Sequence, residues 1–190
     1  MSQEIAASLP AELPLRTLGV LRRWQHADRD ALVTAVNDNL EHLRPWMPWA
    51  SQRATAESSG TFLDGVVAGF DSDTDFSYGL FSADGDVLGA GGVHRRGAAD
   101  VLEIGYWIAK SQARKGLGRA LAQALTVAAA HAPGIARVEI RCDEANVRSA
   151  SIPRALGYEL IEVYERPPEA PGHTGRGMVW SISADEGRTL

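Results

Sequence analysis

The chain has 190 residues, of which 45% are hydrophobic and 23% charged, and its formal net charge is −5. This composition is typical of a globular domain, and because no basic stripe dominates, it argues against nucleic acid as a partner. No apolar run is long enough to span a bilayer and the histidines show no metal-ligand spacing, so neither a membrane protein nor a metal site is expected.

Apolar periodicity and turn residues predict one layered domain. In chain order, the predicted elements are a strand over 13–24, helices over 28–43 and 55–70, strands over 76–81, 87–94 and 101–109, a helix over 116–131, a strand over 135–142, a helix over 146–156, and strands over 158–164 and 178–182. This order predicts an α+β fold with α/β layering, in which a mixed, mostly antiparallel and twisted sheet is flanked by helices. The domain is expected to span 13–184, between an N-terminal arm over 1–12 and a C-terminal tail over 185–190.

The cysteine content and the first residues indicate the compartment. Cys142 is the only cysteine, which excludes an intramolecular disulfide and suits a reducing environment. The segment 1–14 lacks the cationic start and the apolar stretch of a signal peptide. We therefore expect a cytoplasmic protein.

The turn that enters the helix over 116–131 is rich in small and cationic residues, namely Arg114, Lys115, Gly116, Gly118 and Arg119. A helix N-terminus presents backbone N–H groups without intrahelical partners and the positive end of the helix dipole, and glycines let an anion approach the backbone. The turn therefore has the composition of a phosphate or pyrophosphate site. An ordinary strand–helix turn that packs closely through its glycines has the same composition.

Two common phosphate loops are excluded by single positions. A P-loop requires Gly-Lys followed by Ser or Thr, whereas here Lys115 precedes Gly116 and Leu117 replaces the hydroxyl residue. A dinucleotide-binding fingerprint requires a third glycine where this chain has Leu121. What remains is a strand, the pattern x-x-R-K-G-x-G and a long helix.

That arrangement resembles the acetyl-CoA pyrophosphate loop of the GNAT superfamily of N-acetyltransferases, whose pattern is Gln/Arg-x-x-Gly-x-Gly/Ala. The chain departs from this pattern at Ala113. A second match lies over 146–158, where the family helix commonly reads N-x-x-S-x-x-(I/V)-x-x-x-L-G-(F/Y) and each position agrees. The segments 46–49 and 103–108 are similar to the RimJ/RimL-type ribosomal-protein N-acetyltransferases. The resemblance extends over 13–182 and implies the GNAT fold.

The resemblance implies acetyl-CoA as the acetyl donor and assigns residues to it. The turn would hold the pyrophosphate through N–H groups, the strand end would pair with the pantetheine amides and polarise the thioester carbonyl, and Asn146 would hydrogen-bond the pantetheine arm. The residues assigned in this way are Trp107, Ile108, Ala109, Arg114, Lys115, Gly116, Leu117, Gly118, Arg119 and Asn146. By local rules alone, Asn146 and Ser149 would instead cap a helix.

The resemblance also implies roles in catalysis. Ser149 is the candidate acid that protonates the leaving CoA sulfur, and Glu103 is the candidate base that takes a proton from the amine. A salt-bridged strand residue is an equally good interpretation of Glu103. Glu165 and Glu169, in the late part of the chain, are alternative bases.

The acceptor site is expected near Trp46, Trp49 and the loop over 166–177, although core aromatics would also account for the two tryptophans. The acceptor is predicted to be a primary amine, with the N-terminal α-amine of a protein as the RimJ/RimL-like case. An amine-bearing antibiotic or small metabolite is one alternative acceptor, and a CoA-binding module without catalysis is an alternative function. The resemblance is also compatible with a homodimer.

Overall fold

The computed structural model describes residues 9–15 and 19–190. The strands in this part of the chain are β1 Glu12–Pro14, β2 Val20–Arg23, β3 Asp75–Phe81, β4 Val87–His94, β5 Val101–Ile108, β6 Arg137–Asp143, β7 Glu159–Glu165 and β8 Arg176–Ser183. The helices are α1 Arg29–Asp38, α2 Leu40–Leu43, α3 Ala56–Asp71, α4 Leu117–Ala130, α5 Val147–Ala155 and α6 Ala184–Gly187. The strands form one sheet in the order β1-β2-β3-β4-β5-β6-β8-β7.

The sheet is mixed, because β5 and β6 run parallel while the other neighbouring strands run antiparallel. Helices cover both faces, which confirms the predicted layered α+β fold. On one face, α4 buries Leu117, Leu121 and Leu125, spaced four residues apart, in the larger core cluster. On the other face, side chains of α1 and α3 pack around Trp24 and Phe81. No helix among the described residues combines the length and the apolar character needed to cross a membrane.

The predicted strand over 13–24 is wrong as a single element, because β1 and β2 pair antiparallel as a hairpin. Gly19 ends its turn at φ +127, and a Cβ there would lie 2.5 Å from the Phe81 carbonyl oxygen. The middle of the predicted strand, 16–18, lies outside the described residues, as does 1–8 of the predicted arm. The remainder of that arm contributes Leu9 to the core.

The predicted helix over 28–43 is interrupted at Asn39, which separates α1 from α2. The Asn39 side chain donates through Nδ2 to the Ala35 carbonyl at 2.8 Å and accepts at Oδ1 from the Lys110 N–H at 2.7 Å. This contact ties α2 to the chain that leaves β5. A short helix was also missed at the C-terminal end, where α6 follows Ser183.

The separation of β5 from β6 is the feature that positions the site. Their parallel pairing ends at Ile104, after which β5 continues against β4 to Ile108 and β6 continues against β8. The Ala109 N–H donates to the Leu88 carbonyl of β4 at 2.8 Å. Because backbone groups alternate direction along a strand, those of Tyr106 and Ile108 face the opposite, unpaired edge.

Candidate functional site

The turn before α4 presents unpaired backbone donors. Arg114 at φ 63 and Gly116 at φ 81 adopt left-handed conformations that reverse the chain into the helix. The first intrahelical bond joins the Ala120 N–H to the Gly116 carbonyl at 3.0 Å. The N–H groups at positions 117–119 therefore have no partner within the helix, and Arg114, Lys115 and Arg119 surround them as exposed side chains.

Glycine is favoured at the two positions of the turn for different physical reasons. At Gly116 a Cβ would meet no atom within 4 Å, so the positive φ is what favours glycine there. At Gly118 a Cβ would lie 3.1 Å from Ile152 Cδ1 and 3.5 Å from Ile108 Cγ1. Gly118 thus permits close packing of α4 on α5 and β5, which is the alternative that the sequence left open beside the approach of an anion.

The N-terminus of α5 faces the open edge of β5 from the side of β6. The Asn146 Oδ1 accepts the Ser149 N–H at 3.2 Å, which is the helix cap that local rules predict. The Tyr106 hydroxyl lies 3.5 Å from the Ser149 carbonyl oxygen, and the Ser149 side chain lies near the Cys142 thiol. Burial raises the pKa of Cys142 to about 11. The turn before α4, the open strand edge and the start of α5 are therefore neighbours, and the opening between β5 and β6 that they border is referred to as the groove.

The structure places the residues predicted to bind acetyl-CoA around this groove, with restrictions on how each can act. The Ala109 N–H is already used by Leu88, and the N–H of Trp107 points the same way, so only Ile108 of the three predicted strand residues directs its N–H into the groove. Leu117 is 3% exposed, which leaves only its backbone to contact a ligand.

Glu103 lies outside the open part of β5, at a level where β5 is paired on both sides. Its side chain is 11% exposed, with Oε1 3.2 Å from Arg96 Nη1 and Oε2 3.3 Å from Arg141 Nε. Both carboxylate oxygens are thus held by guanidinium groups. This geometry favours the salt-bridged interpretation of Glu103 over a role as the base.

The loop over 166–177 docks against the turn that carries Trp46. His173 Nε2 lies 3.2 Å from the Trp46 carbonyl oxygen, and the Gly172 N–H donates to the Pro45 carbonyl at 2.8 Å. Trp49 is 52% exposed and its ring lies 6.3 Å from that of Trp107, between centroids. The two predicted acceptor-site tryptophans therefore lie between the late loop and the end of β5.

The two alternative carboxylates occupy the periphery of that loop. Glu169 forms an exposed ion pair with Arg166 at 3.0 Å. Glu165 ends β7 opposite Arg176 in the strand register and is exposed. Among the residues that the structure describes, no group of three or more His, Cys, Asp or Glu side chains is arranged to hold a metal ion.

Asp143 is a residue of the site that the sequence reasoning missed. It is 2% exposed and accepts hydrogen bonds from the Ala145 N–H, the Thr174 N–H and the Thr174 hydroxyl. It therefore joins the start of α5 to the late loop. Its contact with Ala145 is local, but no sequence pattern marks the connection to the loop, because Thr174 is 31 residues away.

Comparison with known proteins places this geometry in a family. The family model described as "Acetyltransferase (GNAT) domain" matches residues 20–159. No curated protein sequence matches the chain. Similar solved structures include RimL, a ribosomal L7/L12 alpha-N-protein acetyltransferase in complex with coenzyme A, at 20% identity and a TM-score of 0.84, with 92% of this chain and 99% of that chain covered.

Two further solved structures share the fold. RimJ of Mycobacterium smegmatis in complex with CoA-disulfide is 23% identical, with a TM-score of 0.79 and coverage of 92% of this chain and 87% of that chain. The Microcin C7 self immunity acetyltransferase MccE, in complex with acetyl-CoA and AMP, is 16% identical, with a TM-score of 0.82 and coverage of 93% and 98%. Since the family model matches well over half of the chain, this protein belongs to the GNAT family of acetyltransferases and its acetyl donor is acetyl-CoA.

Proposed function

We propose that the protein transfers the acetyl group of acetyl-CoA to the free N-terminal α-amine of a protein or peptide. The observation that carries the proposal is the groove in which the unpaired edge of β5 meets the bare N-terminus of α4 and the start of α5. Trp49 lies beside the end of β5, and the late loop docks on the neighbouring turn at Pro45 and Trp46. The similarity to RimL, named as an alpha-N-protein acetyltransferase, supports this choice of acceptor.

In this proposal, each part of the groove has a separate task. The N–H groups at 117–119 bind the pyrophosphate, with Arg114, Lys115 and Arg119 as supporting charges. The Ile108 N–H polarises the thioester carbonyl, and the Asn146 Nδ2 group hydrogen-bonds the pantetheine arm. The Ser149 hydroxyl gives a proton to the sulfur as it leaves.

The experiment that tests the proposal follows thiol release from acetyl-CoA with matched peptides. One peptide has a free N-terminal serine and an internal lysine, and its control is the same peptide with a formylated N-terminus. We expect thiol release with the free peptide alone. Acetylation of the blocked peptide at lysine would contradict the choice of acceptor. If calorimetry shows that acetyl-CoA binds but no amine brings about thiol release from it, the result would favour a CoA-binding module without catalysis.

The exposed indole of Trp49 supports a second candidate acceptor. An aromatic ring that is half exposed beside a strand end offers a stacking surface for a planar group. MccE, of the same fold, is described in complex with acetyl-CoA and AMP. A non-hydrolysable aminoacyl-adenosine in the acceptor panel decides the question, because preference for it over the peptide, lost in Trp49→Ala, would favour a small-molecule acetyltransferase.

Cys142 provides an independent test of where the CoA sulfur lies. Its thiol contacts Ser149, the proposed acid for that sulfur, and the RimL structure is described with a disulfide between CoA and a cysteine of that protein. We expect CoA disulfide to react with Cys142 at alkaline pH, as the thiolate attacks one sulfur, forms a mixed disulfide and releases one CoA thiolate. Because the pKa of Cys142 is raised to about 11, the rate should increase with pH throughout the range below that value.

Mass spectrometry measures this adduct, which is unambiguous because the chain has a single cysteine. Cys142→Ala should show no adduct, and glutathione disulfide should react more slowly because the groove does not hold it. Equal rates for the two disulfides would place the CoA sulfur elsewhere.

A homodimer and a cytoplasmic location complete the proposal. The edge strand β7 supports the dimer, since Leu160, Ile161 and Val163 are exposed by 44%, 53% and 43%. The single cysteine, which excludes an intramolecular disulfide, supports a location in the reducing cytoplasm. Light scattering after size exclusion should give twice the chain mass for the wild type and the chain mass for Ile161→Lys, with Val147→Lys as the exposed control. A monomeric wild type would end the dimer proposal.

A further inference from the structure

Two contacts hold α2 beside the end of β5. The Asn39 Oδ1 accepts the Lys110 N–H at 2.7 Å, directly after the strand. Leu40 and Leu43 form a small core cluster against which Trp107 packs. His42, the third residue of this helix, is half-buried, and its ring lies near the backbone of Ile108.

The His42 ring therefore lies where the open edge of β5 ends. The contact favours the protonated ring, so it is made with the Ile108 carbonyl oxygen, toward which one ring nitrogen presents its proton. In the neutral ring, the other nitrogen then has a free lone pair. The Ile108 N–H points to the same edge as its carbonyl, which places the ring beside the proposed thioester position.

The surroundings of the ring keep it neutral. Burial is the largest cause that lowers the pKa of His42 below its ordinary value of 6.5, and the charges of Arg148 on α5 and Lys110 after β5 lower it further. The charged groups acting on the ring from these two elements are both cations. A neutral imidazole near pH 7 is able to accept a proton.

The carboxylates assigned from the sequence are less suitable. Both oxygens of Glu103 are engaged by Arg96 and Arg141. Glu169 is paired with Arg166 on the outer loop, and Glu165 is exposed on the far edge strand. Of these groups, His42 alone contacts the part of β5 that borders the groove.

We propose that His42 is the catalytic base that deprotonates the acceptor amine, an inference that rests on the proposed function. A proton moves from the ammonium group to the free ring nitrogen of His42. The amine nitrogen then forms a bond to the acetyl carbonyl carbon, and the carbon–sulfur bond breaks. The Ser149 hydroxyl gives its proton to the departing thiolate, and the second proton lost by the nitrogen passes through solvent to the Ser149 oxygen. His42 returns its proton to solvent.

The variant His42→Gln distinguishes a role of His42 as the base from a purely structural role. A glutamine amide can still donate to the Ile108 carbonyl, but it accepts no proton at neutral pH. With the serine peptide as acceptor, kcat at pH 7 should fall roughly 100-fold, while KM for acetyl-CoA changes less than about threefold. His131→Gln, an exposed histidine at the end of α4, is the matched control and should leave kcat unchanged.

Two further measurements, the pH profile and chemical rescue, would show no effect of His42 if the residue acted only through packing. Wild-type kcat should decline as pH falls through a value below 6.5, and this limb should be absent in His42→Gln. Added imidazole should restore part of the activity of His42→Ala. An active wild type with unchanged kcat in His42→Gln overturns this inference alone. A wild type that binds acetyl-CoA but acetylates no amine overturns the proposed function, and the role of His42 with it.

Discussion

Replacing Asp143 by alanine is expected to lower the free energy of unfolding by about 3 kcal/mol, because the buried carboxylate accepts three hydrogen bonds, from the half-buried Ala145 and the exposed Thr174, that are lost together. The Ala145 N–H and the Thr174 N–H each lie 3.1 Å from a carboxylate oxygen, and the Thr174 hydroxyl lies at 2.9 Å. For a chain of this size the midpoint of thermal unfolding should fall by roughly 6–12 °C. Chemical denaturation and calorimetry measure both quantities.

Two control variants separate the effect of losing these hydrogen bonds from the effect of losing a negative charge. Asp143→Asn keeps one carbonyl oxygen for Thr174 and should cost about 1 kcal/mol. Asp84→Ala removes an exposed carboxylate from the β3–β4 turn and should change stability by less than about 0.5 kcal/mol. Equal stability of the wild type and Asp143→Ala would mean that water satisfies these donors.

The same carboxylate makes stability depend on pH. Burial acts to raise the pKa of Asp143, but the hydrogen bonds from Thr174 and Ala145 outweigh it, and the net pKa lies below the ordinary 3.8. A carboxyl group whose pKa is depressed by folding stabilises the protein above its unfolded pKa. The contribution is therefore present near neutrality and is lost as pH falls below 3.8 through the folded value. Asp143→Asn should lack this acid-dependent part of the unfolding profile.

Replacing Gly116 by valine should weaken acetyl-CoA binding about tenfold. The residue holds φ 81 at the entrance to α4, and a β-branched residue is strained in that region by roughly 1–2 kcal/mol. The turn relaxes in the free variant, so binding must restore the strained form before the N–H groups at 117–119 converge on the pyrophosphate. Isothermal calorimetry measures the loss, and about 1.4 kcal/mol corresponds to tenfold in Kd.

Gly85 offers a matched control for this substitution. It has φ 88 in the β3–β4 turn, and a Cβ there would likewise meet no atom within 4 Å. Gly85→Val should destabilise the fold by a similar amount and leave acetyl-CoA affinity unchanged. If Gly116→Val binds acetyl-CoA as tightly as the wild type, the turn is not the pyrophosphate site.

The sequence allowed prediction of those elements whose signals are local. The apolar stripe of α4 and the cap at Asn146 follow from spacing and from residue type, and both are present in the structure. The break at Asn39 depends on the Lys110 N–H, which is 71 residues away. A helical pattern that continues to Leu43 contains no trace of that contact, so the boundary was misplaced.

The residues of the candidate site divide in the same way, into those with a local sequence signal and those that depend on remote contacts. The turn at 113–119 was predicted as a pyrophosphate site because glycine and cationic residues at a helix start have a direct physical meaning. Glu103 was chosen as a base from its place on the strand, but Arg141 engages it from the neighbouring strand β6. The role proposed for His42 depends on the packing of α2 against the end of β5, which the uninterrupted helix predicted from the sequence did not include.

The divergence of β5 from β6 has a consequence for amide hydrogen exchange. Tyr106 and Ile108 direct their N–H groups to the unpaired edge, whereas Trp107 and Ala109 direct theirs to β4. In the free protein, exchange along this strand should therefore alternate between fast and slow from one residue to the next. Acetyl-CoA would protect the fast positions and leave the slow ones unchanged, so the ligand would act as the strand that this sheet lacks.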